Sequence, residues 1–258
     1  MIRDRVRIGD FMDAYRMVRV DEVLNQAVSR HGLEKGVIRI TAPRGCLLTT
    51  IEYEPGLVED FIDSWHRFDR DVKPATSSEV LGKLVSNTLH LPFNLGRLVI
   101  GDLQQVALFA TEQTGELFLE LEFVPTNSIL GLESIETNAE MQTLDITDIV
   151  ERTLMNVREC QVTMISPDPC VILYTLDPFR FHDLTDFLKR VAPRDAIYRH
   201  NHQWVGNAGF IHVRAAYFSQ ALTVKVENGH LSIGGERLFF TELDTRGTKR
   251  DIYFEIWK

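Results

Sequence analysis

The sequence predicts an α+β chain built from two tandem, diverged copies of one domain, each a mostly antiparallel β-sandwich with two to three helices. Three observations carry this. A turn-rich stretch, Pro125-Thr126-Asn127-Ser128, follows the strand-like run Leu117–Val124 near the middle of the 258 residues. Six landmarks recur in the same order on either side of it. Within each half the strands come in runs after the helices, which is the pattern of an antiparallel α+β domain. The expected units are residues 1–124 and 125–258, both of ordinary domain size.

The landmarks pair as follows. Val20-Asp-Glu-Val-Leu-Asn25 and Ile146-Thr-Asp-Ile-Val-Glu151 each open an amphipathic helix that leads into an apolar strand, Gly36–Ile40 or Gln161–Ile165. Glu54-Pro55 and Asp177-Pro178 then start the helices Leu57–Phe68 and Phe181–Val191, with acidic residues in the first turn that suit the helix dipole. Leu89–Gly96 parallels Leu222–Gly229 as a strand and turn, and Asn228-Gly229 is a hairpin signal. The halves close on the strands Glu116–Leu121 and Asp251–Ile256.

Composition narrows the function classes. A net charge of −9 and a pI near 5.4 disfavour nucleic-acid binding, because an acidic surface repels phosphate backbones. Cys46, Cys160 and Cys170 form no C-x-x-C pair and are odd in number, so a disulfide framework is not expected and a cytoplasmic setting fits. The charged start, Met1-Ile-Arg-Asp-Arg-Val-Arg, precedes no apolar run, so no signal peptide is expected. The most apolar stretch, Cys170–Leu176, is too short to span a bilayer, and no membrane association is expected. No Gly-x-Ser-x-Gly elbow occurs, and Cys46 and Cys170 lie in apolar surroundings typical of buried thiols.

The same landmarks resemble the YjbQ family, whose members are called secondary thiamine-phosphate synthases. The carrying residues are Val20–Gln26, Glu54-Pro55 with its helix, Leu89–Arg97, Gly101-Asp-Leu-Gln104, Asp177–Pro193, Ala196-Ile-Tyr-Arg-His200 and Phe210-Ile-His-Val-Arg-Ala215. The resemblance implies a sandwich-like domain that assembles as trimers, so that three chains would supply six domains. It also implies a reaction joining a pyrimidine diphosphate to a thiazole phosphate with the help of a divalent metal ion. On this likeness His200 and His212 fall on two of three family histidine positions. Glu242 falls on a late glutamate, allowing a one-residue deletion, and Lys249-Arg250 on a basic pair.

The first unit departs from the pattern. The family's His-Thr-Ser-Ala-Ser segment falls on Ala42-Pro43-Arg44-Gly45-Cys46, and near Ser166–Pro169 in the second unit, so its histidine is missing from both. Glu79 stands where a histidine belongs, and no Tyr-x-His occurs between Phe68 and Ser78. The first unit is therefore expected to contribute packing and assembly, and any chemistry is expected in the second.

The residues themselves leave alternatives open. His200 and His212 suit a zinc-like ion, and catalytic centres take about three protein ligands; Asp168, His202 and Glu242 are candidate thirds. Otherwise His200 sits on a polar loop and His212 on a strand, binding nothing. Arg246, Lys249 and Arg250, with Arg237, could hold a phosphorylated ligand or belong to a solvated hairpin. Trp204 could wall a pocket or sit in the core. Glu59, Asp60 and Asp63 share a helix face and are expected to be solvated. Two functions from different classes follow. One is a degenerate, non-catalytic member that scaffolds or binds a small ligand, favoured by a two-ligand count. The other is a metal-dependent, thiamine-phosphate-synthase-like enzyme with one site in the second unit, using Glu242.

Overall fold

The computed structural model describes residues 1–125, 129–137, 142–166, 168–202, 209–244 and 249–257, with residues 129–133 and 202 as backbone alone. In chain order, the first unit contains β1 (Ile2–Phe11), β2 (Arg16–Arg19), α1 (Asp21–Arg30), β3 (Lys35–Thr41), β4 (Cys46–Ile51), α2 (Pro55–Arg67), α3 (Ser78–Leu81), β5 (Thr88–Asn94), β6 (Arg97–Leu98), β7 (Gln105–Ala110) and β8 (Gly115–Pro125). The second contains β9 (Ile129–Glu136), β10 (Thr143–Asp145), α4 (Thr147–Leu154), β11 (Glu159–Ile165), β12 (Val171–Leu176), α5 (Phe181–Val191), α6 (Gly209–Ala216), β13 (Ala221–Glu227), β14 (His230–Leu231), β15 (Arg237–Glu242) and β16 (Lys249–Trp257).

The topology shows the duplication directly. In the first unit the sheets run β1-β8-β3-β5-β6 and β2-β7-β4; in the second they run β9-β16-β11-β13-β14 and β10-β15-β12. Adding eight to every strand number of the first unit reproduces the second (1, 8, 3, 5, 6 become 9, 16, 11, 13, 14). The strand pairings within these sheets are antiparallel, as the grouped strand runs predict. The turn before β14 uses Asn228 and Gly229 at φ 53° and 82°, and its twin before β6 uses Leu95 and Gly96 at 51° and 75°. Asn228-Gly229 announces such a turn, whereas Leu95 occupies the left-handed region against its preference.

Each sandwich has its own interior. Ile38, Leu91, Phe123 and Leu108 pack with Leu24 and Val28 of α1 in the first unit, and Val162, Leu173, Phe240 and Phe254 pack with Val150 of α4 in the second. A third core joins the units, formed where α2, α5 and α6 meet the outer faces of the two small sheets. Its centre is aromatic. Trp65 stacks on Tyr217 at 5.5 Å and 10°, and both meet Phe61 and Phe68. The helix α2 is shaped for this place, since Leu57, Phe61, Ser64 and Trp65 lie along one buried stripe.

Contacts across the seam are reciprocal. α2 packs on α6 and α5 on α3, which relates the units by an approximate twofold. Polar bonds reinforce it: Ser64 Oγ donates to the Val191 carbonyl at 2.7 Å, and Lys83 Nζ reaches Glu236 at 2.7 Å. One local expectation fails. His212 lies on helix α6 and not on a strand. The residues Phe210, Ile211, Val213, Ala215 and Ala216 are all buried, so this short helix is covered on nearly every side and its sequence carries no helical polar face.

Candidate functional site

The strand β4 ends at Ile51 and continues as Glu52-Tyr53-Glu54 before Pro55 starts α2. Extended alternation sends both carboxylates to one side of this segment. Tyr53 anchors the middle: its N–H donates to Gln105 Oε1 at 2.7 Å and its hydroxyl to the Met17 carbonyl at 3.0 Å. Glu54 is also the N-cap of α2, accepting from the Gly56 and Leu57 N–H groups at 2.7 and 2.9 Å.

The second unit supplies the histidines. His200 lies in a single 3-10 turn, Arg199–His202, and is 1% exposed. The carboxylate of Asp60, buried on α2, accepts the backbone N–H groups of Arg199 and His200 at 2.9 and 3.0 Å. His200 Nδ1 lies 3.0 Å from Glu54 Oε2. With the carboxylate ionised, Nδ1 is the donor in this bond, and Nε2 is the ring nitrogen available to a metal. Gly209 lets α6 start against this turn, because a Cβ there would sit 2.4 Å from that of Tyr198. His212, one turn along, then brings its ring to 4.8 Å from that of His200 and its Nδ1 to 3.4 Å from Glu52 Oε2.

Glu52, His200 and His212 thus form a cluster whose ligating atoms lie within 4.8 Å of one another. Burial lowers the His212 pKa to about 4, with a further push from His200 and a small opposing pull from Asp244, so its ring is neutral at pH 7. Burial raises the Glu52 carboxyl above its usual range. Burial also acts upward on Glu54, but the bonds from His200, Gly56 and Leu57 outweigh it and hold Glu54 below the usual range.

The structure brings the two histidines singled out from the sequence next to Glu52 of the first unit. Asp168 and Glu242 do not join the cluster. They bind Arg250, whose Nε lies 2.6 Å from Glu242 Oε2, whose Nη1 contacts Asp168, and whose Nη2 lies 3.5 Å from Asp244. Arg250 is therefore a structural counter-ion to a carboxylate trio, and Glu242 is fully enclosed. Lys249 is exposed at the start of β16. Arg246, Trp204 and the side chain of His202 lie outside the described residues. Asp60 is not solvated as expected but buried, because α2 turns it toward the His200 backbone; Glu59 and Asp63 pair with Arg199. The overlooked sign was the pair Glu52 and Glu54 at the end of an apolar strand, two residues apart.

The twofold mate of the cluster is different. Its place is taken by Thr175, Asp177 and Glu79, matched to Glu52, Glu54 and His212. Glu79 pairs with Arg180 at 3.5 Å and Thr175 accepts from Lys83 at 3.2 Å. Among the described residues, Glu52, His200 and His212 are the one such cluster of metal-ligating groups.

Residues 133–258 match the family model described as UPF0047 protein YjbQ-like. Solved structures similar to part of the chain include an uncharacterized conserved protein of the YjbQ/UPF0047 family from Clostridium acetobutylicum, at 23% identity and TM-score 0.43, covering 49% of this chain and 98% of that one. A YbjQ-like protein of unknown function from Sulfolobus solfataricus shows 18% identity and TM-score 0.45, covering 50% and 96%. A conserved hypothetical protein from Thermus thermophilus shows 23% identity and TM-score 0.42, covering 48% and 98%. No curated protein matches the chain. Among the described residues, no helix is long and apolar enough to cross a membrane. Over residues 133–258, just under half of its length, the chain is thus similar to the YjbQ (UPF0047) family.

Proposed function

We propose that the chain binds one divalent metal ion through Glu52, His200 and His212 and acts there on a phosphorylated small molecule. The carrying observation is the convergence of two imidazoles and a carboxylate, drawn from both units, within 4.8 Å. Two tests of fit support it. His212 Nδ1 is buried and has no hydrogen-bond partner among the described residues, a costly state that a ligand would relieve. Its 3.4 Å distance to Glu52 also suits two ligands of one tetrahedral ion, which stand roughly 3.3 Å apart when each lies about 2.05 Å from the metal.

The ion, when bound, would supply Lewis-acid charge stabilisation at a phosphoryl or leaving oxygen. The chain's own residues prepare for it. Glu54 holds the His200 proton on Nδ1, Asp60 fixes the backbone that carries that ring, and Glu52 offers a carboxylate whose charge is poorly solvated until a cation compensates it. Two histidines with one carboxylate leave an open coordination position, the composition of a catalytic zinc-like centre. This favours a working centre over an inert scaffold. Thiamine-phosphate-synthase-like transfer, and a trimer of such chains, are the reaction and assembly that the family resemblance suggests.

Elemental analysis after exhaustive dialysis against zinc tests the reading. One equivalent per chain is expected in the wild type, and far less in Glu52→Gln and His212→Ala. Wild type without metal, or Glu52→Gln loaded like wild type, would refute it. Formation of thiamine phosphate, abolished in His212→Ala, would support the reaction class.

A further inference from the structure

Away from the histidine cluster, the second unit has a cleft of about 490 Å³ between α5, the last turn of α6 and the small sheet. Three cations line it: Lys189 on α5, Arg194 just beyond that helix, and Arg214 on α6. Lys189 and Arg194 are exposed, whereas Arg214 is 3% exposed and is held in place by its Nε bond to the Ala192 carbonyl at 2.9 Å and by the face of Phe210 at 4.8 Å. No carboxylate among the described residues lines this cleft. In a protein of net charge −9 that concentration of positive charge is local and specific.

The floor is a hydroxyl chain. Tyr174 Oη lies 3.0 Å from Thr241 Oγ1, which lies 2.7 Å from Thr143 Oγ1. Burial raises the Tyr174 pKa to about 12, so the phenol keeps its proton and remains a donor at pH 7. One wall is apolar, formed by Phe181, Leu184 and Leu188. The twin cleft in the first unit is chemically different: Trp65 and Tyr15 fill its sides, and its lysine, Lys73, is paired with Asp69 at 3.2 Å.

We propose that this cleft binds a phosphate monoester with a small apolar or aromatic body. The three cations and the hydroxyl floor would engage the phosphoryl oxygens, and Phe181, Leu184 and Leu188 the body. A dianionic phosphoryl group offers three oxygens, enough to engage several cationic donors at once, which a carboxylate's two oxygens do less well. The site is separate from the metal-ligand cluster and does not depend on it.

Calorimetric titration of the full-length protein with phenyl phosphate tests this. Saturable binding at one site per chain is expected, with benzyl alcohol giving none. The double variant Lys189→Gln/Arg194→Gln should weaken it about tenfold or more, and Lys189→Gln alone should weaken it in the same direction. Thr185→Trp, which fills the cleft from its rim, should do the same. Chelator-treated protein and His212→Ala should bind as wild type. No saturation at millimolar phenyl phosphate would overturn the proposal. So would binding that is lost in His212→Ala yet unchanged in the double variant, which would place the phosphoryl group at the histidine cluster.

Discussion

Glu54 has two roles that one substitution can separate. Its Oε1 accepts the Gly56 N–H, and its Oε2 accepts both the Leu57 N–H and the proton of His200 Nδ1. In Glu54→Gln the amide oxygen can keep the Gly56 bond. The NH₂ group then faces Leu57 and His200, and it can pair with His200 only if Nδ1 becomes the acceptor. That tautomer moves the ring proton to Nε2, the atom left for the metal. Losing such an orienting partner typically weakens a metal site about 10- to 100-fold, or roughly 1.4–2.7 kcal/mol. The capping loss is smaller: one of two cap bonds, about 1 kcal/mol, lowers the melting midpoint by about 2–4 °C in a chain of this size. Glu54→Ala removes both cap bonds and should roughly double that thermal loss. Zinc affinity by competition with a chromophoric chelator at pH 7, alongside calorimetric melting, reads the two effects separately. A Gln variant that melts earlier but binds zinc like wild type would show that Glu54 is only a helix cap.

Three further outcomes are expected. Arg250→Met strands the enclosed Glu242 together with Asp168 and Asp244, and should cost about 3–5 kcal/mol in urea denaturation; a loss under about 1 kcal/mol would mean the trio does not depend on the guanidinium. Burial lowers the His90 pKa to about 4, against about 6.5 for an unfolded histidine. The unfolded chain therefore binds the proton first, so stability falls as pH drops from about 6.5 toward 4, by on the order of 2–3 kcal/mol, and His90→Phe should flatten that part of the profile. Trp65→Ala should cost about 3–5 kcal/mol while unfolding stays a single transition, because the ring sits in the core shared by both units; two separated transitions would contradict a shared core.

Much of the architecture was legible in the sequence because duplication doubles the signal. Glu54-Pro55 and Asp177-Pro178 are weak helix starts alone, but their matched order is informative. What escaped was whatever depends on how the units face each other. Periodicity places Asp60 on a helix face without saying that the face meets the His200 turn. Glu52 follows an apolar strand, and nothing local distinguishes a carboxylate aimed at another unit's histidine from one aimed at water. The α6 segment failed for a related reason: a helix buried on nearly all sides lacks the polar stripe by which helices are recognised. Arg250 and Glu242, both late in the chain and both chemically suggestive in sequence, interact with each other.

The seam-crossing cluster changes how the repeat should be counted. Two domains ordinarily promise two centres, yet the one candidate cluster among the described residues takes Glu52 from the first copy and His200 and His212 from the second, so a chain would offer one. A substitution at Glu52, a hundred and sixty positions before His212 in the chain, should be as damaging as one at the histidine itself. Neither half made alone would carry the full ligand set, even if it folded around its own sandwich. Mixing the two halves would regenerate it only if the aromatic seam re-formed between them. The two copies are thus interdependent: each supplies ligating groups that the other lacks.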